Sequence, residues 1–486
     1  MKSMKNKMSN GAKSSAVYII ASLLSKGLAI ITMPIFTRIM SSSEIGVVNL
    51  YNSWHSMVAV VVSLSLTSGG FQLAMKEFRN DRDGYISSVF CLTSIVAIVA
   101  GAVYLVAPQI WNGITGLPSS LMTLMIFHLL LSPAYDFWLM RQRYEYRYLS
   151  AGFLSICSAI LAAAVSVYAV ISASNNGVQS LGQVRLISNY VVQLSIAFVI
   201  GIFIIIKGKT GYSKKYWIFS LRLSIPLMGN AFASQVLSVS DRVMIGRMVG
   251  NNAVGIYSTL YTVSSLSLLV WNAINASFIP FLFDNMDNPK SNKKIKSISN
   301  VLLFAFAVVA LFMTIVAPEI VRTLATDEYY EAIYIMPPIA AGVFLTSVTN
   351  MYSNILIYHK KTQYIMISTC FAAGVNVVLN YYGIQKLGYM AAAYTTLFAY
   401  IIHALIQGVV ATKVHASVTR DNNEPVYSTS TIILLAVMTI FGCLCCLSLY
   451  RNTFVRYLII AVISISALVF RKRLLDLVKP ERGGRR

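Results

Sequence analysis

Apolar runs of about the length needed to cross a bilayer recur along nearly the whole chain, separated by short segments that hold most of the charge. They cover residues 14–36, 45–67, 85–107, 118–140, 148–172, 186–206, 221–243, 253–276, 299–317, 332–357, 364–382, 388–411, 429–450 and 455–470. Each is near the roughly 20 residues that a helix needs to span the hydrocarbon layer. A membrane β-barrel would instead show segments of about 10 residues with alternating polarity. The composition agrees, with 57% hydrophobic and 12% charged residues, where a water-soluble domain carries about 25% charged ones. The expected fold is all-α and integral to the membrane, with about fourteen transmembrane helices.

The net charge of +22 does not point to nucleic acid, because Lys and Arg are scattered over short loops and no folded basic surface gathers them. The positive-inside rule accounts for them instead. With a cytoplasmic N-terminus, thirty Lys and Arg fall on the cytoplasmic side and eight on the other, so both termini are expected to be cytoplasmic. The basic stretch 1–13 precedes an apolar run too long for a signal-peptide core, and 14–36 reads as a retained first helix. Cys91, Cys157, Cys370, Cys443, Cys445 and Cys446 all lie in apolar runs, so neither a disulfide framework nor a metal site is expected.

Arg38-Ile39-Met40 followed by Ile45-Gly46-Val47 recurs at the same spacing as Arg247-Met248-Val249 followed by Val254-Gly255-Ile256. Each copy joins the first two helices of a half, and an even number of crossings separates them, as in transporters with parallel repeats. The expected plan is therefore a cytoplasmic N-terminus (1–13), a six-helix N-lobe (14–206), a cytoplasmic linker (207–220) and a pseudo-symmetric six-helix C-lobe (221–411). A cytoplasmic loop (412–428), a terminal helix pair (429–470) and a basic cytoplasmic tail (471–486) follow.

The leading helices of both halves carry polar stripes, which a helix facing only lipid does not need. They comprise Ser22, Ser25, Lys26 and Thr32 in the first helix and Asn49, Asn52, Ser53 and Ser56 in the second. Asn230, Ser234, Gln235, Ser238, Asp241 and Arg242 lie in the seventh, and Tyr257, Tyr261, Ser264, Asn272 and Asn275 in the eighth. Facing each other, the stripes are expected to line a cavity; as interhelical glue they would only hold a bundle together. Lys26 lies roughly 20 Å beyond Lys13 along its helix. An ammonium so deep has a function by default, or else pairs with an acid such as Asp241. In the repeat Gln235 takes the place of Lys26, and Arg38 and Arg247 stand near the outer helix ends. Asp241 is the one acid on these stripes, so the cavity is expected to be net cationic and suited to a phosphate or pyrophosphate. In the fourth helix His128, Ser132 and Asp136 follow at four-residue steps, consistent with a proton relay or with a structural network. The sequence holds no phosphate-binding G-x-x-x-x-G-K-[ST] loop, no His and Glu metal constellation and no G-x-S-x-G turn.

Pro34-Ile35-Phe36-Thr37-Arg38 with Glu44-Ile45-Gly46, then Ser224-Ile225-Pro226-Leu227, Ser240-Asp241-Arg242-Val243-Met244-Ile245-Gly246 and Val254-Gly255-Ile256-Tyr257, resemble the polysaccharide-transporter branch of the superfamily that contains MATE exporters and the lipid II flippase MurJ. The resemblance implies a Wzx-type flippase of the bacterial cytoplasmic membrane. Its cargo would be an undecaprenyl-pyrophosphate-linked oligosaccharide for O-antigen, capsule or exopolysaccharide, moved by alternating access beside other assembly proteins. It also implies that a cavity cation, here best matched by Lys26, holds the lipid-linked phosphate. No cofactor is implied, and the chain is not expected to be an enzyme. The competing readings are a MATE-like exporter of organic cations and a membrane-embedded glycan polymerase or glycosyltransferase.

Overall fold

The computed structural model describes residues 27–67, 70–419 and 424–461 together with Leu24. Among these residues every regular element is a helix. The N-terminal half contains α1 (Gly27–Ile39), α2 (Ser42–Val62), α3 (Gly70–Glu77), α4 (Arg82–Val106), α5 (Pro108–Thr115), α6 (Ser119–Tyr144), α7 (Tyr148–Asn175) and α8 (Leu181–Gly208). The second half contains α9 (Lys214–Met248), α10 (Asn251–Ser264), α11 (Ser267–Asn285), α12 (Asn292–Leu324), α13 (Asp327–Tyr330), α14 (Met336–Tyr358), α15 (Gln363–Leu387) and α16 (Ala391–Val418). Beyond them lie α17 (Thr429–Leu449) and α18, described over 453–461.

Eleven of the described helices are long and apolar enough to cross a membrane. At 35 residues α9 is the longest described helix, yet it is not one of the eleven, because its polar stripe dilutes its apolar content. The span expected over 253–276 is two helices, α10 and α11, parted at Ser265 and Leu266. A similar interruption follows α2, where Leu64 and Ser65 take left-handed φ values of 52° and 49°. The expected linker 207–220 is shorter as loop, since α8 runs to Gly208 and residues 214–220 already belong to α9.

Within the first half α4, α6, α7 and α8 pack on one another, and within the second α14 packs on α12, α16 and α17, and α15 on α9 and α16. The halves meet through α2, which lies against α10 and α9. This seam carries the sequence repeat. A Cβ built on Gly46 would stand 1.8 Å from the carbonyl oxygen of Asn251, and one built on Gly255 would stand 1.9 Å from that of Ser42. Ser42 precedes Gly46 by four residues, as Asn251 precedes Gly255, so the two contacts are pseudo-symmetric. Only glycine permits such an approach of two helix backbones.

Polar bonds cross the same end of the seam. Ser42 Oγ and Asn252 Nδ2 both donate to the Glu328 carboxylate, at 2.5 and 2.8 Å, and Asn252 also donates to Ser42 at 2.7 Å. Thr37 Oγ1 donates to the Leu324 carbonyl at 2.8 Å, and the Arg247 guanidinium to that of Gly113. The halves are thus closed on each other at the end that holds Arg38 and Arg247.

At the opposite end the first turns of α9 are docked on the N-terminal half. Trp217 Nε1 donates to the Ser88 carbonyl at 3.0 Å, Tyr85 and Ser220 share a hydrogen bond of 2.8 Å, and Tyr216 donates to Asp81 at 2.6 Å. Further along, α9 packs against α15 of the second half. One helix therefore belongs to both lobes, with Pro226 inside it.

Candidate substrate cavity

The central cavity, of about 680 Å³, is walled by α2, α6, α7 and α8 of the first half, and its described border with the second half is Ala231 and Gln235 of α9. The break after α2 turns the chain so that Ser63, Ser65 and Thr67 face it. From α6 come His128, Ser132 and Asp136, which share one helix face at steps of four. Pro133 stands among them and leaves the helix one backbone donor short beside the cavity.

Its floor is a ring-bearing cluster. His55 Nε2 and His128 Nδ1 lie 2.8 Å apart and share one proton, while the His128 ring meets that of Tyr190 edge-on at 4.6 Å. Tyr51 flanks Tyr190 at 5.3 Å, and the Tyr190 hydroxyl donates to Asn52 Oδ1 at 3.2 Å. His55 and Tyr190 are functional candidates that the sequence did not single out. A signal existed for His55, which follows Asn52 by three residues and thus extends the stripe of α2. For Tyr190 there was none, since its partners lie on other helices.

The expected site residues are distributed over several places. Gln235, His128 and Asp136 share the central cavity. Arg242 lines a second cavity of about 460 Å³ inside the C-lobe, with Ser238, Tyr261, Asn350, Tyr400 and His403. There its Nη1 lies 3.3 Å from Asp241 Oδ1, its guanidinium stands 4.2 Å from the centre of the Tyr261 ring, and Tyr257 donates to Asp241 Oδ2 at 2.6 Å. The pair is buried and neutral as a unit. Behind it Ser240 donates to Asn376, and Asn376 to Thr396, in an uncharged network that ties α9, α15 and α16 together.

Arg38 and Arg247 are exposed at the closed end. Asn272 is exposed on α11, and Asn275 accepts a bond of 2.9 Å from Asn354 within the C-lobe. Asn230 is half-buried, and its Oδ1 has no partner among the described residues. Lys26 lies outside the described residues. The expectation of a net cationic cavity is therefore corrected for the described part: the wall of the central cavity holds one charged side chain, the carboxylate of Asp136, and no Lys or Arg. Arg242 is absent from that wall because Asp241 draws it into the C-lobe. Among the described residues no group of three or more His, Cys, Asp or Glu is placed to hold a metal ion.

A helical membrane body whose halves close on each other at one end and each hold a polar cavity bordered by α9 has the build of a membrane transporter. Sequence comparison agrees, and the chain belongs to the polysaccharide biosynthesis protein family, whose profile matches residues 12–286, more than half of its length. No curated protein sequence matches it. Among solved structures, the lipid II flippase MurJ in an inward closed conformation aligns with a TM-score of 0.64 at 15% identity, over 96% of this chain and 100% of its own. An inward-facing MATE-family multidrug transporter of the MOP superfamily aligns with a TM-score of 0.57 at 13% identity, over 84% of this chain and 99% of its own. A MOP superfamily transporter from Pyrococcus furiosus gives 0.53 at 11% identity, over 83% and 96%. At these identities the likeness is one of fold.

Proposed function

We propose that this protein is a flippase that carries an undecaprenyl-pyrophosphate-linked oligosaccharide from the cytoplasmic to the outer leaflet of the bacterial cytoplasmic membrane, for O-antigen, capsule or exopolysaccharide assembly. The observation that carries the proposal is a polar cavity walled by the first half and bordered by α9, in a molecule whose halves close on each other at one end through paired glycines. With fourteen crossings and both termini cytoplasmic, the closed end is the outer one, and the cavity takes its cargo from the cytoplasmic side. The polyprenyl tail stays in hydrocarbon, and only the pyrophosphate and sugars need a polar route. Hydroxyl and amide groups such as Ser63, Ser132, Gln193 and Gln235 suit a glycan. In this reading Lys26 supplies the charge that holds the pyrophosphate, and His128 and Asp136, joined by His55, couple the cycle to protons. This reading keeps the lobes at 14–206 and 221–411, with α9 packed against both.

Deletion of the gene followed by analysis of lipid-linked intermediates tests this. Complete repeat units accumulate on the cytoplasmic leaflet if the protein flips them, whereas truncated glycans would mark it as an enzyme. Lys26→Ala abolishes surface polysaccharide while the protein still reaches the membrane, and Lys26→Arg retains part of it. Normal polysaccharide in the alanine variant would remove Lys26 from the mechanism without touching the flippase assignment.

One observation favours a second reading. Asp136 is the single charged group on the described wall of the central cavity, with Arg143 as its cationic neighbour, and a carboxylate facing a cavity suits an organic cation, as in a MATE-like exporter. Unchanged sensitivity of the deletion strain to cationic dyes and antibiotics would dismiss it.

A further inference from the structure

Three cations on the outside of the molecule lack the partners that their neighbours have. At the end of the bundle opposite the glycine seam, Asp83 and Glu145 take up Arg82, Arg141, Arg147 and Lys207. Close by, Lys214, Lys215 and Arg222 of α9 are exposed, and none is ion-paired with a carboxylate among the described residues. With Glu77 they rim a crevice of about 690 Å³ between the end of α3 and the first turns of α9. Its wall is apolar, built from Phe78, Ile218, Phe219 and Leu223, and it shares no residue with the central cavity.

Helix length fixes the level of this crevice in the bilayer. The 35 residues of α9 extend about 52 Å, against a hydrocarbon thickness of about 30 Å. Its first turns therefore project into the headgroup layer. Aromatic side chains mark the same level, where the Trp217 indole meets the Tyr212 ring edge-on at 4.8 Å. Ile218 is 55% exposed there and, one turn below the lysines, faces the acyl region.

We propose that this crevice is a binding site for the phosphodiester headgroup of an anionic phospholipid of the inner leaflet. Lys214, Lys215 and Arg222 hold the phosphate, and the acyl chains lie along Ile218, Phe219 and Leu223. Three cations against one acid give the site its anion preference, and the Arg222 guanidinium offers two parallel donors to a phosphate. The apolar wall directly beneath the two lysines, along which Arg222 reaches up from two turns deeper by its own apolar stem, distinguishes a lipid from a soluble phosphate, which has nothing to place there.

Native mass spectrometry of the purified full chain tests the site, with phosphatidylglycerol and phosphatidylcholine as probes. Phosphatidylglycerol is retained over phosphatidylcholine, and the triple variant Lys214→Gln, Lys215→Gln, Arg222→Gln loses that retention at about fivefold per cation removed. The triple variant Lys290→Gln, Lys293→Gln, Lys294→Gln, with charges removed from the basic segment at the start of α12, retains it. Glu77→Gln alone binds phosphatidylglycerol more tightly, by about fivefold, and this gain keeps the test decisive should the first triple variant misfold. Equal retention of the two lipids, equal loss in both triple variants, or no gain in Glu77→Gln overturns the proposal. So does displacement of phosphatidylglycerol by equimolar undecaprenyl pyrophosphate, which would make the crevice a station for cargo.

Discussion

Asp241 and Arg242 illustrate how a side chain's partner outweighs its place on a helical stripe. Both belong to the polar face of α9, and Arg242 was expected to meet an anion in the central cavity. The buried carboxylate beside it, which accepts from Tyr257, instead holds the guanidinium within the C-lobe, where the Tyr261 ring and the Ser238 carbonyl complete its contacts. Removing one member of a buried pair leaves the other charge uncompensated, at a cost of about 3 to 5 kcal/mol. Asp241→Asn is therefore expected to lower the melting temperature of the purified protein well beyond Asp241→Asn with Arg242→Gln; an equal fall in both would mean that the pair is not the stabilising unit. The stripe on α6 fared differently. His128, Ser132 and Asp136 do face one cavity, because steps of four residues hold one helix face whatever lies opposite. What spacing could not supply was the pairing of His128 with His55, 73 positions away in sequence.

At the scale of elements, apolar length made most of the bundle legible, and the departures occur where polarity or geometry breaks the run. The second helix of each half is interrupted, after Val62 and again at Ser265, and neither interruption is marked by proline, so a window of hydropathy passes over both. The glycine repeat was legible as a pattern, but its meaning came from the contact it allows. Gly46→Ala sets a methyl group into the Asn251 carbonyl and is expected to hold the closed end apart. In a background without native cysteines, a cysteine at Val48, buried in the seam, then reacts several-fold faster with an impermeant maleimide than it does beside Gly46. Unchanged labelling would show that the helices part without regard to that contact.

For the whole molecule, the closed end depends on few groups. Ser42, Asn252 and Glu328 form its polar clasp, and the two bonds that Ser42 shares with Glu328 and Asn252 must break if the lobes are to separate there. Cysteines at Ser42 and Asn252 are expected to cross-link under oxidation and to arrest transport, with recovery on reduction; continued transport in the cross-linked state would exclude opening at this end.

The docking of α9 also bears on how the chain is made. Synthesis from the N-terminus delivers α1 to α8 to the membrane before Tyr216, Trp217 and Ser220 exist, and until then Tyr85 and the Ser88 carbonyl lack the groups that cover them. The first lobe is thus finished by residues that the ribosome adds at the beginning of the second. A fragment ending at residue 224 should be recovered from membranes in far better yield than one ending at residue 210, although the apparent loop between the halves invites the earlier cut.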